Sequence, residues 1–112
     1  CGVGFAPVRP EHHEKLIALM EGVEDIPGTA LSAGLTWNWE SFGDYMNAIN
    51  DIPHTIDFAA QVPHDAVRMY VMGDRAVSDQ VATPEDIEAH RRAATERELS
   101  DVTEISTEAI FV

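Results

Sequence analysis

The chain opens with CGVGFAPVRP, residues 1–10, an apolar, glycine-rich segment that contains two prolines and the only cysteine of the sequence. Residues 2–6 predict either a short buried strand or the end of a strand that continues into a loop, and Pro7 ends the segment. Pro10 suits the first turn of a helix, where a backbone N–H is not needed, and Gly22 lies near the expected end of that helix. No methionine begins the segment, so we expect it to come from the interior of a longer protein.

The middle of the chain contains the clearest helical pattern. Residues 26–36 show no period and are predicted to be a loop. Asn38 is a suitable cap for a helix over 39–49, in which apolar residues recur at helical spacing. A proline at position 53 ends this pattern, because it disfavours helical geometry at the residue before it.

Three further segments complete the pattern. Residues 56–62 alternate between apolar and other side chains and predict a strand that Pro63 ends. Residues 65–72 fit either a short helix or a second strand, and the periodicity does not decide between them. Residues 84–98 predict a helix, which Thr83 opens with an approximate capping box. Helices therefore predominate over two or three short strands in an α/β fold.

Composition excludes several classes of function. The 112 residues are 45% hydrophobic and 24% charged, which is ordinary globular composition. A formal net charge of -13 would repel nucleic-acid phosphates, so no nucleic-acid partner is expected. A single cysteine gives no intramolecular disulfide, and the apolar runs are far shorter than the roughly 20 residues that span a bilayer. We therefore expect a cytoplasmic protein without a membrane partner.

Besides the cysteine and the many carboxylates, the candidates for chemistry are Arg68 and the five histidines, at positions 12, 13, 54, 64 and 90. His12 and His13 are adjacent and point about 100 degrees apart on a helix, which is unsuitable for holding one metal, and we expect both on the solvated surface, together with His90. His64 follows the predicted strand, at a position where active sites of α/β barrels gather. A loop histidine bonded to backbone is the other interpretation. Arg68, four residues later, either faces the same site or pairs with a surface carboxylate.

Several segments together resemble the N-acyl-D-amino-acid deacylases (D-aminoacylases) of the amidohydrolase superfamily. The resemblance covers about the first 95 residues, and its most specific part is MEGVEDIPG, residues 20–28. The other matching segments are CGVGFAP (1–7), the W-x-W-x-S-F motif (37–42), residues 56–73 and TPEDI (83–87).

The resemblance implies a zinc-dependent hydrolase of linear amides, with N-acyl-D-amino acids as substrates. It implies that Cys1 is a zinc ligand at the end of a barrel strand, and that His64 lies on the substrate side or supports the metal ligands. Arg68 is a candidate for the same role through its spacing from His64. Residues 1–97 would then be an incomplete segment of a (β/α)8 TIM barrel, and residues 98–112 a divergent or truncated tail. Such a barrel needs about 250 residues, so we expect the chain to be inactive alone.

The alternative is a small acidic α/β interaction module without catalytic activity. The cluster of Trp37, Trp39 and Phe42 would be its contact surface.

Overall fold

The computed structural model describes residues 2–57, 60–95 and 104–105, and most of these residues are helical. The helices are α1 (His13–Glu24), which a 3-10 turn (Pro10–His12) precedes, α2 (Gly28–Gly34), α3 (Phe42–Asn50), α4 (His64–Met72), α5 (Asp74–Val77) and α6 (Pro84–Thr95). The strands are β1 (Gln61–Val62) and β2 (Glu104–Ile105). The prediction that helices predominate is confirmed, and the described residues form no barrel.

The two strands form one parallel pair. Gln61 is opposite Glu104, and Val62 is opposite Ile105. The strand predicted over 56–62 is limited to Gln61–Val62 among the described residues, and Ile56, at the start of the predicted strand, is 73% exposed. Two residues of that prediction, 58 and 59, lie outside the described residues, as does the tail apart from β2.

The strand predicted over residues 2–6 is wrong for these described residues. Two of their carbonyl groups accept hydrogen bonds from the first turn of α4 and from a side chain instead of from a neighbouring strand. The Gly2 carbonyl accepts a hydrogen bond from the Asp65 amide at 2.9 Å, and the Phe5 carbonyl accepts one from the Trp39 indole at 2.8 Å. The segment still packs against the rest of the chain, since residues 2–5 are partly buried and Ala6 is only 2% exposed.

The first helix is confirmed, but its end differs from the expectation. α1 continues past Gly22 to Glu24, and Asp25 ends it in the left-handed conformation, with φ 58°. The Asp25 amide donates to the Glu21 carbonyl at 3.2 Å, which satisfies one of the last carbonyls of the helix. Asp is one of the few residues besides glycine that adopt this conformation readily.

The loop predicted over 26–36 contains the helix α2. This helix has only seven residues, too few for a hydrophobic period to show, and it contains no buried residue. It packs against α1, where a Cβ atom on Gly28 would lie 2.7 Å from Oε2 of Glu21. The helix thus depends on a contact with α1 that local sequence does not reveal.

Helix α3 begins three residues later than predicted. Ser41 caps it by accepting from the Asp44 amide at 3.0 Å, and the Asp44 carboxylate accepts in return from the Ser41 amide at 3.0 Å. These two bonds complete a capping box. Asn38 is not the cap, because its side chain accepts from the Thr36 hydroxyl. The reciprocal bonds hold the pKa of Asp44 below its usual value.

The undecided segment 65–72 is helical, within α4. Helix α6 is confirmed through Thr95, and the rest of its predicted length lies outside the described residues. Thr83 and Asp86 make the predicted capping box, with bonds of 2.9 and 3.2 Å. Arg75 of α5 donates two hydrogen bonds to the same Asp86 carboxylate, at 2.9 and 2.6 Å.

Two buried clusters form the core. One contains Ala6, Phe42, Val62 and Val67, and the other contains Val8, Leu16 and Met69. Trp39 packs against both clusters and therefore connects them. Within the described ranges, no helix has the length and apolar character needed to cross a membrane.

Candidate functional site

The candidate site lies where β1 ends and α4 begins. Val62 is fully buried, Pro63 follows it, and His64 is the first residue of α4. The prediction that His64 comes directly after a strand is confirmed. Since β1 and β2 are parallel, His64 lies at the carboxyl end of a parallel strand, the position that active-site residues favour in α/β barrels.

The segment that follows Cys1 lies against this same point. The Asp65 amide donates to the Gly2 carbonyl at 2.9 Å. Two residues further, Gly4 is so close to Pro63 that a Cβ atom on it would lie 2.6 Å from the proline Cγ. Residues 2–4 and 63–65, far apart in sequence, are therefore neighbours, and His64 lies within the second of these segments. Sequence spacing gave no signal for this contact.

Arg68 faces a different part of the molecule. Its guanidinium Nη2 donates to the Gln80 carbonyl at 2.6 Å, and its side chain lines a groove between α1, α4 and α5. His64 is not among the described residues that line that groove. The structure therefore places both predicted residues on α4 without bringing their side chains to one cavity.

The described residues do not assemble a metal site on their own. Among residues 2–57, 60–95 and 104–105, no three His, Cys, Asp or Glu side chains come together as potential ligands. Cys1, the predicted zinc ligand, lies outside the described residues. The donor set within the described part of the chain therefore does not fit a complete zinc site.

Two of the three histidines predicted on the surface are buried. His12 and His90 are each 7% exposed, and neither His12 Nδ1 nor His90 Nε2 has a hydrogen-bond partner among the described residues. His90 Nδ1 lies 2.6 Å from the Asp86 carbonyl. His13 is half-buried and stacks on Trp37, with ring centroids 3.9 Å apart. All three histidines therefore pack against the protein itself.

Two ion pairs connect the short helix α5 to its neighbouring helices. Lys15 of α1 pairs with Asp74, and this contact lowers the pKa of the Asp74 carboxyl. The bidentate bond from Arg75 to Asp86, together with the Thr83 amide, holds the pKa of Asp86 well below its ordinary range. Both carboxylates thus stay ionised at neutral pH, and they anchor α5 to α1 and α6.

The aromatic cluster proposed as a contact surface belongs instead to the core. Phe42 is 3% exposed, and the Trp39 indole donates to a backbone carbonyl and packs against both buried clusters. Trp37 lies 5.7 Å from both Phe5 and Trp39, measured between ring centroids. Helical spacing does not distinguish a buried aromatic side chain from an exposed one. The prediction that Phe42 belongs to an exposed contact surface is therefore wrong.

Comparison with known proteins finds a curated relative of the chain. The chain is similar to the D-aminoacylase of Alcaligenes xylosoxydans xylosoxydans, with 31% identity over 111 residues, which is 99% of this chain and 20% of that protein. The chain therefore spans about a fifth of the length of this curated relative. No family model matches the chain, and no solved structure matches it.

Proposed function

We propose that the chain is one part of a zinc-dependent hydrolase that cleaves carbon–nitrogen bonds in linear amides, with N-acyl-D-amino acids as substrates. The observation that carries this proposal is the similarity to a D-aminoacylase along 99% of the chain. The chain corresponds to about a fifth of that protein, so we propose further that it has no activity alone.

Within this proposal, Cys1 is a zinc ligand and its partners come from outside the described residues. A thiolate is a suitable ligand, because zinc accepts cysteine sulfur readily. The contact between Gly2, the residue next to Cys1, and the Asp65 amide supports this assignment, since it brings the cysteine-bearing segment to the end of strand β1. His64, at the same strand end, is proposed to lie near the substrate or to orient a metal ligand.

Arg68 is not part of this proposed site. Its guanidinium donates to the Gln80 carbonyl, and its side chain lines the groove between α1, α4 and α5, which His64 does not line.

A segment exchange tests the proposal. The matched fifth of the Alcaligenes D-aminoacylase is replaced by this chain, and zinc content and hydrolysis of N-acetyl-D-amino acids are measured. We expect the chimera to bind zinc and hydrolyse the substrate, and we expect Cys1→Ser to abolish both. His54→Gln is the matched control, because His54 is exposed and bonds to its own loop at the Ile52 carbonyl.

Two results would count against the proposal. A chimera with Cys1→Ser that keeps full zinc and full activity would remove the metal role of Cys1. Zinc-dependent turnover by the 112-residue chain alone would contradict the claim that the chain is inactive without the rest of the enzyme.

A further inference from the structure

A cavity lies against the carboxyl end of β1, beside the candidate site. Its volume is about 160 Å³, similar to the roughly 150 Å³ of an apolar protein cavity that holds a benzene molecule. Gly4 and Pro63 line it, and their close approach is the contact that brings the segment after Cys1 to His64. The cavity is partly open, so a ligand can enter it. We call it the β1 cavity.

The β1 cavity has an apolar lining without charged groups. Phe5, Phe42 and Val62 line it, and no Asp, Glu, Lys, Arg or His is found among the described residues around it. Tyr45 is the one residue of this described lining with an ionisable side chain, and burial raises the pKa of its hydroxyl, so it stays neutral at physiological pH. A charged ligand group would lose water here without gaining an opposite charge. The cavity therefore favours an uncharged, apolar group.

Aromatic contacts hold the Tyr45 side of the cavity in place. Tyr45 follows Phe42 by three residues on α3, so the two rings share one face of the helix, with centroids 5.7 Å apart. The Tyr45 ring also meets the edge of Trp39 at 5.2 Å between centroids, and the Trp39 indole donates to the Phe5 carbonyl. The Tyr45 ring is thus a fixed wall, which limits the length of a group inside the cavity.

The two ends of an N-acyl-D-amino acid differ in charge. The amino-acid end carries a carboxylate, whereas the acyl end is uncharged and apolar. The acyl group is bonded directly to the carbonyl carbon of the amide that is cleaved, so it must lie next to the groups that act on that amide. In the function proposed above, these groups are at the end of β1, where His64 and the segment after Cys1 meet. The uncharged β1 cavity adjoins this point.

We propose that the β1 cavity holds the acyl group of the substrate, up to about six carbon atoms, and that Tyr45 sets this limit. This inference rests on the proposed function, since it assigns one part of the same substrate. The limit follows from the volume, because a benzene molecule fills a cavity of roughly this size. An acetyl or butyryl group fits the cavity, whereas a decanoyl group is too long for it.

Acyl-length profiles of the chimera described above test this assignment. We measure kcat/KM for the N-acetyl, N-butyryl and N-decanoyl derivatives of one amino acid, D-leucine. The decanoyl substrate should be at least about tenfold poorer than the butyryl substrate. Tyr45→Ala removes the wall and should reduce this ratio at least about fivefold. Tyr45→Phe is the matched control, because it keeps the ring and should keep the parent profile.

A second variant changes the cavity in the opposite direction. Ala60 lines the cavity and is half-buried, so Ala60→Leu fills part of the space. In the chimera, this variant should lower kcat/KM for the butyryl substrate at least about tenfold relative to the acetyl substrate. Ala93→Leu is the matched control, because Ala93 packs against the same buried cluster as Ala60 but does not line the cavity.

A titration of the 112-residue chain with butyramide tests the cavity without any hydrolysis. Butyramide contains the butyryl group and has no charge. We expect saturable shifts of the Val62 methyl signals in NMR spectra, with a dissociation constant on the order of ten millimolar. Ala60→Leu should abolish these shifts, and Ala93→Leu should keep them. Circular dichroism confirms that each variant is folded.

The two experiments separate a failure of this inference from a failure of the proposed function. An active chimera whose acyl-length profile is the same in the parent, Tyr45→Ala and Ala60→Leu overturns the acyl assignment and leaves the proposed function standing. An inactive chimera counts against the proposed function, and the titration then decides the cavity by itself. The cavity assignment is overturned by an absence of saturable butyramide binding, or by equal binding in Ala60→Leu and Ala93→Leu.

Discussion

Replacing Gly4 by alanine should destabilise the chain through one close contact. The new Cβ atom would lie 2.6 Å from Pro63 Cγ and 3.0 Å from Pro63 Cβ. The proline ring is rigid and buried, so the backbone must move, and such overpacking costs about 1–3 kcal/mol. Gly4 is not in the left-handed region, so alanine also restricts the unfolded chain and returns about 0.4–1 kcal/mol. We expect a net loss of about 1–2 kcal/mol in the free energy of unfolding.

Urea denaturation, followed by tryptophan fluorescence and circular dichroism, measures this loss. Gly22→Ala is the matched control, because nothing lies within 4 Å of a Cβ atom on Gly22. Gly22 is inside α1, where alanine is favoured over glycine by about 0.5–1 kcal/mol. The same chemical change should therefore stabilise one position and destabilise the other.

A double-mutant cycle identifies the cause. Pro63→Ala removes the Cγ atom at 2.6 Å and leaves the Cβ atom at 3.0 Å, so Gly4→Ala should cost clearly less in that background. The coupling free energy should then be about 1 kcal/mol or more. A Gly4→Ala chain as stable as the parent, or a cycle without coupling, would refute the close approach of residues 4 and 63.

Ser41→Ala should lower the free energy of unfolding by about 1 kcal/mol, because it removes the α3 cap. Asn38→Ala should change the free energy of unfolding by no more than about 0.5 kcal/mol. Equal losses for the two variants in urea titrations would contradict the assignment of Ser41 as the cap. Arg75 and the Thr83 amide hold the pKa of Asp86 below its ordinary value, so its carboxylate stabilises the native chain above about pH 4, and this stabilisation is lost as the pH falls further. Asp86→Asn should therefore lower the urea midpoint at neutral pH, by an amount that shrinks below about pH 4. A difference that stays constant into acid would exclude this linkage.

Local signals in the sequence predicted much of the helical structure. The capping box of Thr83 and Asp86 depends on residues three apart, and the helix appears where this pattern places it. Helix α3 is also present, but Asn38 and Ser41, three residues apart, are both suitable capping residues, and spacing alone does not decide which one begins the helix. Ser41 prevailed over Asn38 because Asp44, at the third helical position, returns the hydrogen bond.

Burial of polar residues could not be predicted in the same way. Hydrophobic periodicity assigns histidine to the polar face, yet His12 is buried. Its ring lies beside Gly73 at the junction of α4 and α5, where a Cβ atom would be 3.6 Å from the ring Cε1. This burial depends on how α1 meets α4, which no local period contains. The groove lined by Asp79 and Arg68 has the same origin, since three helices must pack before it exists.

The glycine at position 4 connects the fold to the candidate site. As part of a predicted strand it is a weakening residue, because glycine has high conformational freedom and no side chain to pack. The contact with Pro63 gives it a positive role, since only a residue without a Cβ atom allows this approach. The same approach is accompanied by the bond from the Asp65 amide to Gly2, which holds the segment after Cys1 beside His64. A substitution that separates residues 4 and 63 should therefore disturb the candidate site as well as the stability of the chain.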